Sequence, residues 1–222
     1  MRIADCGLQI VGTLLVVLAG CADQAAPTTA QTSPNPPVPA GWTRLFDGVS
    51  LQNWGETDFG GQGTVEVKDG TLILGQGNDL TGVTWRGDFP KTNFEVSLQA
   101  MRVDGHDFFC GLTFPVKESF CSLIVGGWGG ATVGLSSIDG QDASENETTR
   151  AMDFVDGRWY TIVVQVKDDA INAWIDGKQV VSQPLAGREI SIRPEVSLSR
   201  PLGIATWRTT GALRDIRMRR LE

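Results

Sequence analysis

The chain has one histidine, His106, and one tyrosine in 222 residues. A single histidine excludes a metal centre built from several imidazoles. A serine triad would have to recruit His106, and no Gly-x-Ser-x-Gly elbow surrounds any serine. There is no Cys-x-x-Cys pair and no phosphate-binding glycine loop. Positive charge is also scarce: the formal net charge is −7. That argues against nucleic acid as a partner, because phosphate binding needs a basic surface. No apolar run reaches the ~20 residues of a membrane-spanning helix. Past residue 40, no stretch carries a useful i, i+3, i+4, i+7 apolar face. If the protein does hydrolytic chemistry, carboxylates must carry it, with or without a metal.

What is present begins at the N-terminus. Arg2 precedes an apolar run from Leu8 to Gly20, which ends Leu18-Ala19-Gly20-Cys21. A charged start, a short apolar core and small residues before a cleavage point describe an export signal. A cysteine directly after Leu-Ala-Gly resembles the bacterial lipoprotein signal. That resemblance implies cleavage before Cys21, lipidation of Cys21, and anchoring to the cell envelope outside the cytoplasm. Several acyl chains hold a protein firmly, whereas one holds it marginally. Residues 1–20 are thus the expected signal. Cys21 and the Pro, Ala, Thr and Ser-rich stretch to Ala40 form the expected disordered tether. The rest, 41–222, is one domain of about 180 residues, long enough for its own core.

That domain reads as strands and turns. Asp69-Gly70 separates Val65–Lys68 from Thr71–Leu74, and Asp176-Gly177 separates Ala173–Ile175 from Lys178–Val181. Asp-Gly between alternating runs is the signature of a type I′ hairpin. Phe94, Val96, Leu98 and Ala100 alternate with more polar neighbours, as do Tyr160, Ile162, Val164 and Val166, and then Arg214, Ile216 and Met218. The period of two puts one face inward. The expected architecture is all-β: two packed antiparallel sheets. Cys110 and Cys121 remain after export, where disulfides persist. A tight hairpin would set them about 13 Å apart on one face, too far to bridge. A wider loop would bring them opposite each other.

Two segments stand out as candidate sites. Ser136–Arg150 is the most polar stretch, with Asp139, Asp142, Glu145 and Glu147. Its oxygens suit Ca2+ or another hard divalent cation, although the EF-hand spacing is absent. The plainer reading, a solvated surface loop, is the favoured one. Just before it, Gly126-Gly127-Trp128-Gly129-Gly130 leaves backbone bare around one ring. Such a ring can cover the apolar face of a sugar, or it can fill the core. Trp85-Arg86, Asp104–Asp107 and Trp207-Arg208 sit at strand ends. Aromatic-arginine pairs suit polyols and are also common as packed surface.

Longer motifs carry a family resemblance. Leu45-Phe46-Asp47-Gly48-Val49-Ser50-Leu51-Gln52-Asn53-Trp54 resembles the LF-D/N-G-x-x-L-x-x-W opening of the 3-keto-disaccharide hydrolase domain family. Leu213-Arg214-Asp215-Ile216-Arg217-Met218 resembles its FRNIRI ending, Asp69-Gly70-Thr71-Leu72 its early hairpin, and Asn93-Phe94-Glu95-Val96 its DFEL strand. The resemblance implies a jelly-roll sandwich of the concanavalin-like lectin/glucanase type and hydrolysis of 3-keto-glycosides. The middle departs from the family: Phe108–Phe114 and Cys121–Val125 are apolar where it is polar. The residues assigned to catalysis are Asp107, Asp139 and Glu145, with His106 as alternate proton carrier. Trp128, Trp207, Arg208, Trp85 and Arg86 are assigned to a carbohydrate ligand. A non-catalytic carbohydrate-binding module and a surface scaffold stay open beside the enzyme. Trp128, Asp139 and Glu145 are expected to border one groove with His106 or Asp107. That expectation needs the acidic stretch to fold back, since a six-residue strand carries it ~20 Å away.

Overall fold

The computed structural model describes residues 37–222. The expected signal, Cys21 and most of the tether lie outside the described residues. Two antiparallel sheets enclose one core, and the expected jelly-roll sandwich is what forms. In chain order the strands are β1 (Thr43–Arg44), β2 (Trp54–Glu56), β3 (Val65–Lys68), β4 (Thr71–Leu74) and β5 (Leu80–Trp85). There follow β6 (Phe94–Gly105), β7 (Cys110–Val116), β8 (Ser119–Gly126), β9 (Thr132–Ser136) and β10 (Arg150–Ala151). The last five are β11 (Trp159–Val166), β12 (Ala170–Ile175), β13 (Lys178–Pro184), β14 (Gly203–Trp207) and β15 (Thr209–Arg220). The first sheet runs β13-β12-β11-β6-β15-β4-β3, with β1 on β15, and the second runs β10-β9-β8-β7-β14-β5-β2. Among the described residues no helix is long and apolar enough to cross a membrane.

Local chemistry explains the turns. Asp69 and Gly70 have φ of 49° and 79°, and Asp176 and Gly177 have 49° and 77°. Both central residues of each turn are left-handed, as a type I′ hairpin requires. The alternation in β6 and β11 resolves as read: Phe94, Val96, Leu98, Ala100, Ile162, Val164 and Val166 are fully buried. Each large apolar side chain so buried contributes roughly 1.5–3 kcal/mol. β15 differs from the simple alternation. Its pairing with β6 slips between Arg214 and Arg217, and Asp215 takes φ 52°. The bulge turns Leu213, Ile216 and Met218 to the core, while Arg214 lies over the Trp159 ring.

The β7–β8 hairpin is the tight one. Phe114 pairs with Cys121 and Cys110 pairs with Val125. Both cysteines are free and buried, and burial pushes each thiol up to about 12.

The second sheet positions the site. Val83, Ile204, Leu112, Leu123 and Leu135 share one register row and are fully buried. One residue along, on the opposite face, lies the row Thr84, Gly203, Thr113, Ser122 and Ser136. Two residues further lies Gly82, Ala205, Gly111, Ile124 and Gly134. This face away from the core therefore offers a floor of hydroxyls at one level and nearly bare backbone at the next.

Candidate functional site

A pocket of about 270 Å³ opens on that face. It is lined by Leu80, Asp107, Phe108, Ser122, Ile124, Trp128, Ser136, Arg193, Glu195, Val196 and Trp207. The volume sits near the lower end for small-molecule sites and suits one or two rings.

The Trp128 wall depends on glycine. The chain leaves β8 through Gly126 at φ 79° and passes Trp128 at 47°, Gly129 at 86° and Gly130 at 103°. A bulky residue at positive φ is uncommon and signals strain. Trp128 is 45% exposed, so it does not fill the core. Two groups hold the turn. The Asp107 carboxylate accepts hydrogen bonds from its neighbour Phe108 N at 2.7 Å and from Gly129 N at 3.2 Å. The buried Arg102 guanidinium donates to Gly130 O at 3.3 Å, to Phe154 O at 2.8 Å and to Asp156 Oδ1 at 2.5 Å. Gly130 takes φ 103°, where any side chain is strained, and a Cβ there would also crowd Arg102 Nη1 at 2.8 Å and His106 O at 3.1 Å.

The opposite wall comes from the segment before β14. Arg193 forks onto Glu195 through Nε (3.3 Å) and Nη2 (2.7 Å), and its Nη1 is ion-paired with Asp142. The Arg193 hydrogen bonds hold the Glu195 carboxyl below its usual range, and Glu195 holds Arg193 above its own. Asp142 also accepts from Ser136 Oγ at 3.1 Å and Ser137 Oγ at 3.2 Å. The acidic loop thus braces the pocket from behind through Asp142.

The sequence-assigned residues divide. Asp107, Trp128 and Trp207 line one pocket. His106 is exposed on the turn beside it and is not a lining residue. Asp139 is not a lining residue either. It accepts from Glu189 N and pairs with Arg188, and these hold its carboxyl below the usual range. Glu145 is exposed, and its backbone N donates to Asp142 O. The loop is folded around buried Asn146, whose amide donates to Leu135 O, Gln141 O and Asp142 O. The expectation that Asp139 and Glu145 share the groove with Trp128 is therefore corrected: of the stretch's carboxylates, only Asp142 reaches the pocket, and indirectly, through Ser136 and Arg193. Trp85 is corrected as well. It is buried edge-on against Trp54 at 5.3 Å, with its indole N–H on Asp88 O. Arg86 packs beside Gly55, and Arg208 lies over the Trp207 ring while bound to Asp79.

Among the described residues no group of three or more His, Cys, Asp or Glu side chains could hold a metal ion. The loop's donor set does not fit calcium, because Asp139 and Glu147 share Arg188 and Asp142 takes Arg193. Ser136 lines the pocket as the first residue of the polar stretch, whereas Ser122, Ile124, Arg193, Glu195, Leu80, Phe108 and Val196 were not anticipated. Ser122 and Ile124 carried a signal, as the residues opposite Cys121, Leu123 and Val125 on β8. Arg193 and Glu195 carried none.

Residues 41–219 match the family described as the 3-keto-alpha-glucoside-1,2-lyase-like domain. The fold is similar to a putative glycosyl hydrolase from Parabacteroides distasonis, at 16% identity and TM-score 0.55, covering 82% of this chain and 94% of that one. It is similar to a Crh5 transglycosylase in complex with NAG, at 11% identity and TM-score 0.58, covering 82% and 84%. A β-1,3-1,4-glucanase from a mouse hindgut metagenome has 12% identity and TM-score 0.53, covering 82% and 98%. At these identities the likeness is one of fold. No curated protein matches the sequence.

Proposed function

Since the chain belongs to the 3-keto-alpha-glucoside-1,2-lyase-like domain family, we propose that its pocket binds 3-keto-glycosides and cleaves them by proton transfer at Asp107. The observation that carries this reading is the grouping of Trp128, Trp207 and one oriented carboxylate around a single small pocket. Hydrolysis of an ordinary glycoside needs two carboxylates acting apart. Here the second lining carboxylate, Glu195, is committed to Arg193. Elimination from a 3-keto sugar needs only one. The ketone acidifies the proton on C2, and a carboxylate can take it. The C1–O bond then breaks, C1 and C2 become doubly bonded, and the departing oxygen receives the proton from Asp107.

The test is turnover of a 3-keto-α-glucoside followed by mass spectrometry in 18O-water. Elimination releases an unlabelled, unsaturated sugar. Asp107→Asn should lower kcat by at least about 100-fold. Trp128→Ala should weaken binding about tenfold while leaving kcat nearly unchanged. An active Asp107→Asn variant would remove Asp107 from the mechanism. A second reading, a non-catalytic sugar-binding domain, is favoured by one fact: both Asp107 oxygens already accept backbone N–H groups. Tight binding without turnover in the wild type would select it.

The localisation we propose is the cell envelope, with Cys21 lipidated and residues 22–40 spanning the gap. The support is the Leu18-Ala19-Gly20-Cys21 sequence alone. Cys21→Ser should move the protein from the detergent phase to the aqueous phase. Equal partition of variant and wild type would dismiss the anchor.

A further inference from the structure

We infer that the pocket selects an uncharged glycoside whose non-sugar half is flat and apolar, such as an aryl group. The inference rests on the proposed sugar-binding reading and deepens it. Sheet register sorts the lining into two ends. Leu80 pairs with Trp207, and Trp207 N donates to Phe108 O, so these three side chains cluster. Trp128 joins them from the turn after β8, where Asp107 binds Gly129 N. Ser122 pairs with Ser136 at the other end, and Asp142 connects Ser136 to Arg193. On β8, Ser122 and Ile124 face the same way about 7 Å apart. Hydroxyls and the guanidinium thus gather at one end with Val196 beside them, and the rings, Leu80 and Ile124 at the other.

A sugar carries a hydroxyl on almost every carbon. Moving those hydroxyls from water to a site without partners weakens binding. The sugar half therefore belongs at the serine end. The apolar end has two indoles, Phe108, Leu80 and Ile124 to cover. A flat apolar group fills such a space by stacking and area burial. Asp107 stands at the apolar end, where the bond to the leaving group would lie.

Charge narrows the sugar half. Arg193 is the one cation among the lining residues. Its Nε and Nη2 are spent on Glu195 and its Nη1 on Asp142. Two carboxylates, those of Glu195 and Asp142, hold that one guanidinium, and a third, Asp107, stands at the other end. A uronate or sulfated sugar would meet net negative charge and an arginine already paired with two carboxylates.

The experiment is calorimetric titration of the wild-type protein with methyl α-glucoside, phenyl α-glucoside and phenyl α-glucuronide. These lack the keto group and stay intact. Phenyl α-glucoside should bind at least about tenfold tighter than the methyl compound, and the glucuronide at least about tenfold weaker than phenyl α-glucoside. Trp128→Ala should shrink the phenyl preference below about threefold, and Glu195→Gln should recover about fivefold for the glucuronide. Equal affinity for methyl and phenyl, or a glucuronide bound as tightly as the glucoside, overturns the inference and leaves the sugar-binding reading intact. Failure of both glucosides to bind overturns the inference, and the sugar reading is then decided separately by turnover of the 3-keto-α-glucoside.

Discussion

At the residue scale, the pocket's character is set by which charges are already paired. Glu195 is held below its ordinary range by hydrogen bonds from Arg193. Asp139 is held down by Glu189 N and Arg188, and Asp168 by the side chains of Asn93 and Thr92. A carboxyl whose folded value is depressed stabilises the fold above its unfolded value. That contribution disappears as pH falls through the lower folded value. The melting temperature should therefore be level from about pH 5 to 8 and drop below about pH 4, where unfolded Asp and Glu titrate. Glu195→Gln should make the acid limb shallower. A melting temperature that rises between pH 5 and 3 would contradict this pairing scheme. The two buried cysteines stand apart from all of this, since burial keeps them as protonated thiols packed in the core.

At the element scale, the turn between β8 and β9 is the piece on which the site depends. Its backbone is left-handed at four positions, one of them tryptophan. Strain of this kind persists only where neighbours over-determine it. Arg102 of β6 is one of those neighbours, reaching from the other sheet to Gly130 O, Phe154 O and Asp156. Arg102→Met keeps the length of the side chain and removes the donors. It leaves two carbonyls without their partner and should cost about 2 kcal/mol in urea unfolding. It should also weaken ligand binding several-fold, because Trp128 loses its fixed position. Unchanged stability together with unchanged affinity would show that Asp107 alone holds the turn.

At the scale of the whole molecule, the sandwich separates two tasks between the faces of one sheet. The inner face of the second sheet is a continuous apolar row that packs on the first sheet. Its outer face carries small and hydroxylated residues, and loops from distant parts of the chain wall it in. The order β10-β9-β8-β7-β14-β5-β2 brings β14 between β7 and β5. That crossing places Trp207 next to Phe108 and Leu80, residues far apart in sequence. The pocket follows from strand order rather than from any one motif.

Much of the fold was legible from residues 41–222 because its signals are local. Alternation with period two exposes one face of a strand whatever its neighbours are. Asp-Gly supplies left-handed turns by its own backbone preference. The opening LFDG and closing LRDIRM segments identified the family for the same reason, being short and contiguous. The bulge at Asp215 escaped because it is defined only against β6. Asp107, Trp128 and Trp207 were visible as rings and a carboxylate at strand ends. Their meeting, and the arrival of Arg193 and Glu195, were decided by non-local pairing. The acidic loop shows the reason most clearly. Composition counts its carboxylates, but Arg188 and Arg193, which neutralise them, lie some fifty residues along the chain. Electrostatic pairing depends on distance in space, and only the folded sheets set that distance.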